Sequence, residues 1–399
     1  MTGETGAAQD AIGRFRSAVL DDAVLQAALQ DIDDADAFVV RAVALAGERG
    51  MRLSAEHLKP ALRPDPIGLS RWLEAPPSRA VPGAGWLPIN ILPAQGELCI
   101  DWAYFGARSL TEPFYEDSVR QALRLPLNRL ARHRTLLTDL PATIAQQQVL
   151  RPSGFIFHMS RCGSTLTTQM LATDARNIVV SEAAPIDIVV RLTVPPGPQG
   201  QELHAALLAA MICALGQRRT AQHARYFVKL DSWHTLALPL FRRAFPDVPC
   251  VFLYREPAAV LASQLRQRGI QTVPEYLPPS LFGLSDADTL DPIAYCARVL
   301  SRTCEAMVEP AERGEALLVN YRDLPQALWT GILPHFAIPA TDEDRARMAA
   351  AAQFDAKSPS MTFAGGGLQA PEADQVRASA GRHIGPIYDR LEILRRRGH

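Results

Sequence analysis

Four separated stretches hold the residues whose types and spacing could do chemistry. The first is Ser160-Arg161-Cys162-Gly163-Ser164-Thr165, between a short apolar run at 155–157 and a helix-like run at 166–171. Strand, small-residue turn and helix in that order turn main-chain N–H groups toward an anion. Gly163 lets the backbone approach closely, Ser164 and Thr165 add hydroxyl donors, and Arg161 adds a permanent positive charge. The second stretch is Lys229-Leu230-Asp231, with His234 just beyond. The third is Arg255, followed by Glu256-Pro257 opening a helix that carries Ser263. The fourth is Ser181-Glu182. Together they predict a site for a ligand that is anionic at both ends, with acid–base groups at hand. No Gly-Lys pair occurs in the chain, so the GxxxxGK[ST] loop of ATP-binding proteins is excluded. No HxH or HExxH metal-ligand pair occurs either.

The basic residues sharpen this choice. Of 41 Lys and Arg, only Lys59, Lys229 and Lys357 are lysines, which leaves 38 arginines. A chain that writes its positive charge with Arg retains Lys where a compact ammonium with movable donors is wanted. Lys229 stands in one of the four stretches. Lys357, before Gly365-Gly366-Gly367, reads as a surface loop or a late lid over the site.

The bulk numbers fit a soluble globular protein: 399 residues, 48% hydrophobic and 21% charged. A net charge of −1 gives no global field for nucleic acid. Six cysteines without CxxC spacing read as reduced core thiols and point to the cytoplasm, with Cys162 a small filler in the loop. The longest apolar run, 203–215, is too short to span a membrane.

The elements that must position the four stretches follow from periodicity. Residues 1–62 read as three or four helices, capped by Asp21 or Asp22 and by Ser54, the last ending before Pro60. Residues 63–85 are a proline-rich linker. Residues 86–150 should form a cover or entrance, with two short strands up to Trp102 and helices near 116–125 and 127–137. From 151 to 399 strands and helices alternate, which predicts an α/β core with a mainly parallel sheet. Strands are expected at 154–158, 177–181, 225–230, 250–254 and 316–320. Ligands of such sheets bind at the carboxyl ends of the strands, where all four stretches fall.

The core resembles the sulfotransferases that use 3′-phosphoadenosine 5′-phosphosulfate (PAPS). The resemblance rests on Ser160–Thr165, on Phe245-Pro246-Asp247, on Phe252–Ser263 with Arg255 and Ser263, and on Val319-Asn320-Tyr321-Arg322-Asp323-Leu324. It implies a P-loop-type parallel sheet flanked by helices, and in-line sulfuryl transfer to a hydroxyl or amine with PAP as product. It implies that Ser160, Arg161, Cys162, Gly163, Ser164 and Thr165 hold the 5′-phosphosulfate. Arg255 and Ser263 would hold the 3′-phosphate, and Lys229 would serve the bridging oxygen. The base stays open among Glu182, Asp231, His234 and His158, with Glu182 leading because it ends the second strand facing the loop. Two departures from the family pattern are Arg161 where many members have Lys, and Leu166 where a tryptophan often follows.

Residues 10–62 resemble the Nif-type leader-peptide domain through Phe15, Asp21-Asp22, Leu25, Leu29, Phe38-Val39, Ala42 and the run Gly50 to Leu58. That resemblance implies a docking end for a peptide or protein partner. The acceptor is left between a peptide and a small hydroxylated metabolite. Two rivals are a kinase on the same scaffold and a catalytically inactive binding scaffold.

Overall fold

The computed structural model describes residues 2–63, 82–353 and 370–398. Lys357, the glycines at 365–367 and most of the proline-rich linker lie outside them. The chain opens with α1 (Thr2–Asp21), α2 (Ala23–Leu29), α3 (Ala35–Glu48) and α4 (Ala55–Ala61). Asp22, Asp34 and Ser54 cap the last three by accepting from first-turn N–H groups. The fourth helix runs through Pro60 rather than stopping before it. Next come β1 (Trp86–Ala94), β2 (Glu97–Tyr104), α5 (Tyr115–Arg124), α6 (Pro126–Leu130), β3 (His133–Leu136) and α7 (Leu140–Ile144).

The alternating region then supplies β4 (Gly154–His158), α8 (Ser164–Ala172), β5 (Asn177–Ser181), α9 (Ala184–Val190), α10 (Pro198–Leu215), β6 (Arg225–Lys229), α11 (Leu238–Ala244), β7 (Cys250–Tyr254) and α12 (Pro257–Arg266). It closes with α13 (Pro292–Glu305), α14 (Val308–Glu312), β8 (Ala316–Asn320), α15 (Leu333–His335), α16 (Asp342–Ala351), α17 (Ala370–His383) and α18 (Gly385–Arg397). No helix among the described residues is long and apolar enough to cross a membrane.

Chain contacts divide these elements into two units. One comprises 1–110, 114–150 and 183–223; the other comprises 111–113, 151–182 and 224–399. In the first, β1, β2 and β3 form an antiparallel sheet in that order. The helix expected over 127–137 is therefore only the short α6, and 133–136 is an edge strand. Cross-strand pairing explains the difference. Arg134 Nε lies 2.8 Å from Asp101, both buried, and Trp102 Nε1 donates to Thr135 at 2.9 Å. The N-terminal helices belong to this same unit: Arg16 donates to the carbonyl of Leu130 at 2.6 Å and His133 reaches that of Leu20 at 3.3 Å.

The second unit is built on a five-stranded, wholly parallel sheet in the order β5-β6-β4-β7-β8, flanked by helices. The fold is thus mixed α/β. Strands β4 and β7 are buried at every position, which is why they read as unbroken apolar runs rather than alternating ones. Phe155, Phe157, Phe241 and Phe245 pack edge-to-face beneath the sheet at centroid distances of 5.5–6.4 Å. Parallel pairing of β5 with β6 and of β6 with β4 sets the carboxyl ends of these three strands side by side.

Candidate functional site

The β4–α8 loop departs from ordinary backbone geometry. Ser160, Arg161 and Gly163 have φ of 76°, 52° and 85°. Glycine takes the left-handed region without cost, but Ser160 and Arg161 each pay on the order of 1 kcal/mol for it. Glu182, just past β5, is also left-handed at 51°. A Cβ on Gly163 would meet Tyr321 and Leu324 side-chain atoms at 2.7 Å, so this position has room for glycine alone.

Two buried side chains hold Ser160. Its N–H donates to His158 Nδ1 at 3.0 Å, and its hydroxyl accepts from Gln264 Nε2 at 2.9 Å. Gln264 is fully buried on α12 and accepts the Gly269 N–H at 2.8 Å. Arg161 Nη2 donates to the carbonyl of Gln267 at the end of the same helix, at 2.6 Å. The Cys162 thiol donates inward to the Leu253 carbonyl at 3.1 Å, and burial pushes its pKa up to about 12. It therefore carries no thiolate near neutral pH, and only its main chain can serve an anion. Gly163 is the N-cap of α8 and offers no side chain of its own to the first-turn N–H groups.

The ends of β5 and β6 add an ionic cluster. Lys229 is fully buried; its Nζ lies 3.0 Å from Glu182 Oε1 and 3.2 Å from Thr165 Oγ1. The Glu182 side chain is 24% exposed, and its N–H donates to the Lys229 carbonyl at 2.8 Å. Burial alone would raise the carboxyl pKa, but the charge of Lys229 and the neighbouring His158 outweigh it, and Glu182 stays ionised well below the usual carboxylate range. His158 Nε2 is 3.3 Å from the same oxygen, without the alignment of a hydrogen bond. Burial lowers the pKa of His158, an effect Glu182 only partly offsets. Because Nδ1 accepts from Ser160, the neutral ring carries its proton on Nε2, toward Glu182.

The remaining predicted residues follow β6 and β7 in the chain. Arg255, past β7, lies over the Tyr321 ring with 4.2 Å to its centroid, a cation–π contact that orients the guanidinium. Ser263 is half-buried on α12, one residue before Gln264. Asp231 and His234 lie 3.8 Å apart, and the His234 ring is buried between Trp233 and Phe241 at 5.7 and 5.8 Å. Residue types alone missed three members: Gln264, the His158 acceptor role and the Tyr321 platform. Tyr321 and Gln264 do adjoin recognised residues in sequence.

The donor set suits a phosphate- or sulfate-type oxyanion: first-turn N–H groups, the hydroxyls of Ser164 and Thr165, Lys229 and Arg161. Lys229 and Glu182 nearly cancel in charge. Net attraction for an anion thus comes from Arg161, Arg255 and the partial charge of about +0.5 at the start of α8.

No family model and no curated protein matches the chain. Among solved structures it is similar to a sulfotransferase from Mycobacterium avium, at 16% identity and a TM-score of 0.36, over 60% of this chain and 78% of that one. It is also similar to the sulfotransferase domain of the curacin biosynthetic pathway, at 15% identity and a TM-score of 0.37, over 60% and 98%. A third is the sulfotransferase domain of the Synechococcus PCC 7002 olefin synthase, at 15% and 0.36, over 61% and 96%. At these identities and scores the likeness does not extend to chemistry.

Proposed function

We propose that the protein is a PAPS-dependent sulfotransferase acting on a hydroxyl or amine acceptor. The observation that carries this reading is Lys229: a fully buried ammonium shared between Thr165, on the first turn of the uncapped helix, and Glu182. Through Thr165 the ammonium is tied to the turn that would hold the anion, as well as to the carboxylate. In this reading the 160–165 loop grips the 5′ end of the donor. Arg255 and Ser263 grip the 3′-phosphate.

When bound, PAPS supplies a sulfuryl group activated for in-line displacement. Lys229 neutralises the charge that grows on the departing oxygen, an interaction stronger in the transition state than before it. Glu182 takes the proton of the acceptor. The two roles are coupled. While Lys229 donates to Glu182 the carboxylate is a weak base. As the ammonium turns to the departing oxygen, Glu182 loses that partner and its proton affinity rises. Asp231 is the alternative base. His234, enclosed by aromatic rings, suits the core better than proton transfer. The acceptor is a peptide or a small hydroxylated metabolite.

The test is the thermal midpoint with adenosine 3′,5′-bisphosphate, with ATP plus magnesium, and with neither. Ligand at a hundredfold its Kd adds about 2.7 kcal/mol to the folded state. The bisphosphate alone should raise the midpoint, and Arg255→Ala should abolish the rise. A rise with ATP plus magnesium alone would turn the reading to a phosphotransferase. No rise with either would make the unit a non-catalytic scaffold.

A further inference from the structure

We infer that His158 is a positioning residue that holds the anion loop in its binding conformation by accepting the Ser160 N–H and couples that loop to Glu182. This rests on the donor-binding reading above. Three observations carry it. Ser160 is left-handed without being glycine, so something must hold it there. Two buried side chains do so from opposite elements: His158 from the end of β4 and Gln264 from α12. The opposite edge of the same ring faces Glu182 Oε1, the oxygen that also meets Lys229. One imidazole therefore touches both the loop backbone and the ionic pair.

The coupling has a defined polarity. Nδ1 serves Ser160 only while it is unprotonated. Burial keeps it so near neutral pH, against the pull of Glu182 and with the push of Lys229, the two charged groups that face the ring. A second proton on the ring would set an N–H against the Ser160 N–H and release the loop. His158 is thus a mainstay of loop geometry rather than the group that takes the acceptor's proton.

Side-chain shape separates the two contacts. In His158→Asn an oxygen can occupy the Nδ1 position and serve Ser160. In His158→Gln the polar group reaches the Nε2 position and leaves Ser160 without its acceptor. The experiment measures bisphosphate affinity by calorimetry and hydrogen exchange at the Ser160 amide, in wild type and both variants. His158→Gln should weaken affinity about tenfold and unprotect the Ser160 amide, whereas His158→Asn should stay within about threefold on both counts. Equal behaviour of the two variants would overturn the inference. If His158→Gln does not fold, His158→Ala, which also leaves Ser160 without an acceptor, takes its place, and equal affinity and equal exchange in His158→Ala and His158→Asn overturn the inference. If wild type binds no bisphosphate, the donor reading fails, and exchange at Ser160 still judges the latch.

Discussion

In Lys229 a structural role and the proposed catalytic one meet in a single side chain. It is fully buried, and its charge is balanced by a carboxylate that is itself a quarter exposed. Removing it leaves Glu182 with His158 as its near neighbour and only Arg161, farther off, as a cation. A buried ion losing its partner typically costs about 3–5 kcal/mol, and the exposure of Glu182 to water reduces that. Lys229→Ala is therefore expected to melt lower than wild type but to fold. The same variant should lose turnover by about a thousandfold or more while bisphosphate affinity falls less than tenfold, because the contact proposed for Lys229 strengthens only as the bond to the departing oxygen breaks. Parallel rate and calorimetric titrations check this. Equal losses in both would reassign Lys229 to ground-state grip.

At the scale of elements, the last helix is fastened to the sheet by a carboxylate the sequence does not advertise. Glu392 on α18 is 7% exposed. It accepts from Tyr254 at 2.5 Å and Asn320 at 2.9 Å, and also from Arg322 and Arg395. Arg395 in turn reaches Asp323 at 3.1 Å. Within the run Arg395-Arg396-Arg397, Arg395 is thus one of these clasps. Burial would raise the pKa of Glu392, but hydrogen bonds from Arg395, Tyr254 and Asn320 bring it down to about 2 from 4.5. A depressed carboxyl contributes stability that is present above pH 4.5 and lost as pH falls through 2. Glu392→Gln should remove on the order of 2 kcal/mol at pH 7 and flatten the acid limb of the stability curve between pH 4.5 and 2. Denaturant titrations across that range measure it. The five strands were legible because buried parallel strands are unbroken apolar runs ending in charged residues, as with Val228-Lys229 and Tyr254-Arg255. The network around Glu392 was not, because it joins residues 72 positions apart and leaves no local pattern. For the same reason, the periodicity of 127–137 suggests helix where 133–136 is an edge strand: its pairing with β2 lies in Arg134 and Thr135, not in any run of apolar residues.

For the whole molecule, the division of contacts bears on how residues 1–62 can be studied. Phe15, Val19, Leu25, Leu29 and Phe38 are all fully buried, and α1 is hydrogen-bonded to the segment around Leu130. These helices are therefore integral to the unit that contains the antiparallel sheet, rather than an appendage on a free linker. The residues proposed to grip the donor, from Ser160 to Ser263, all lie in the other unit. Deleting 1–62 should then separate two properties. Apolar surface freed by the deletion costs about 25 cal/mol per Å², so several aromatic and aliphatic side chains uncovered together should destabilise the remaining part of the first unit by several kcal/mol. Calorimetry should show that transition lowered or missing, while the bisphosphate still raises the midpoint of the second unit. If residues 10–62 also recruit a peptide acceptor, turnover on peptides should fall far more than turnover on small hydroxylated compounds. A deletion that leaves every substrate unaffected would remove the docking role. A deletion that abolishes the bisphosphate shift would instead show that the two units fold as one cooperative block.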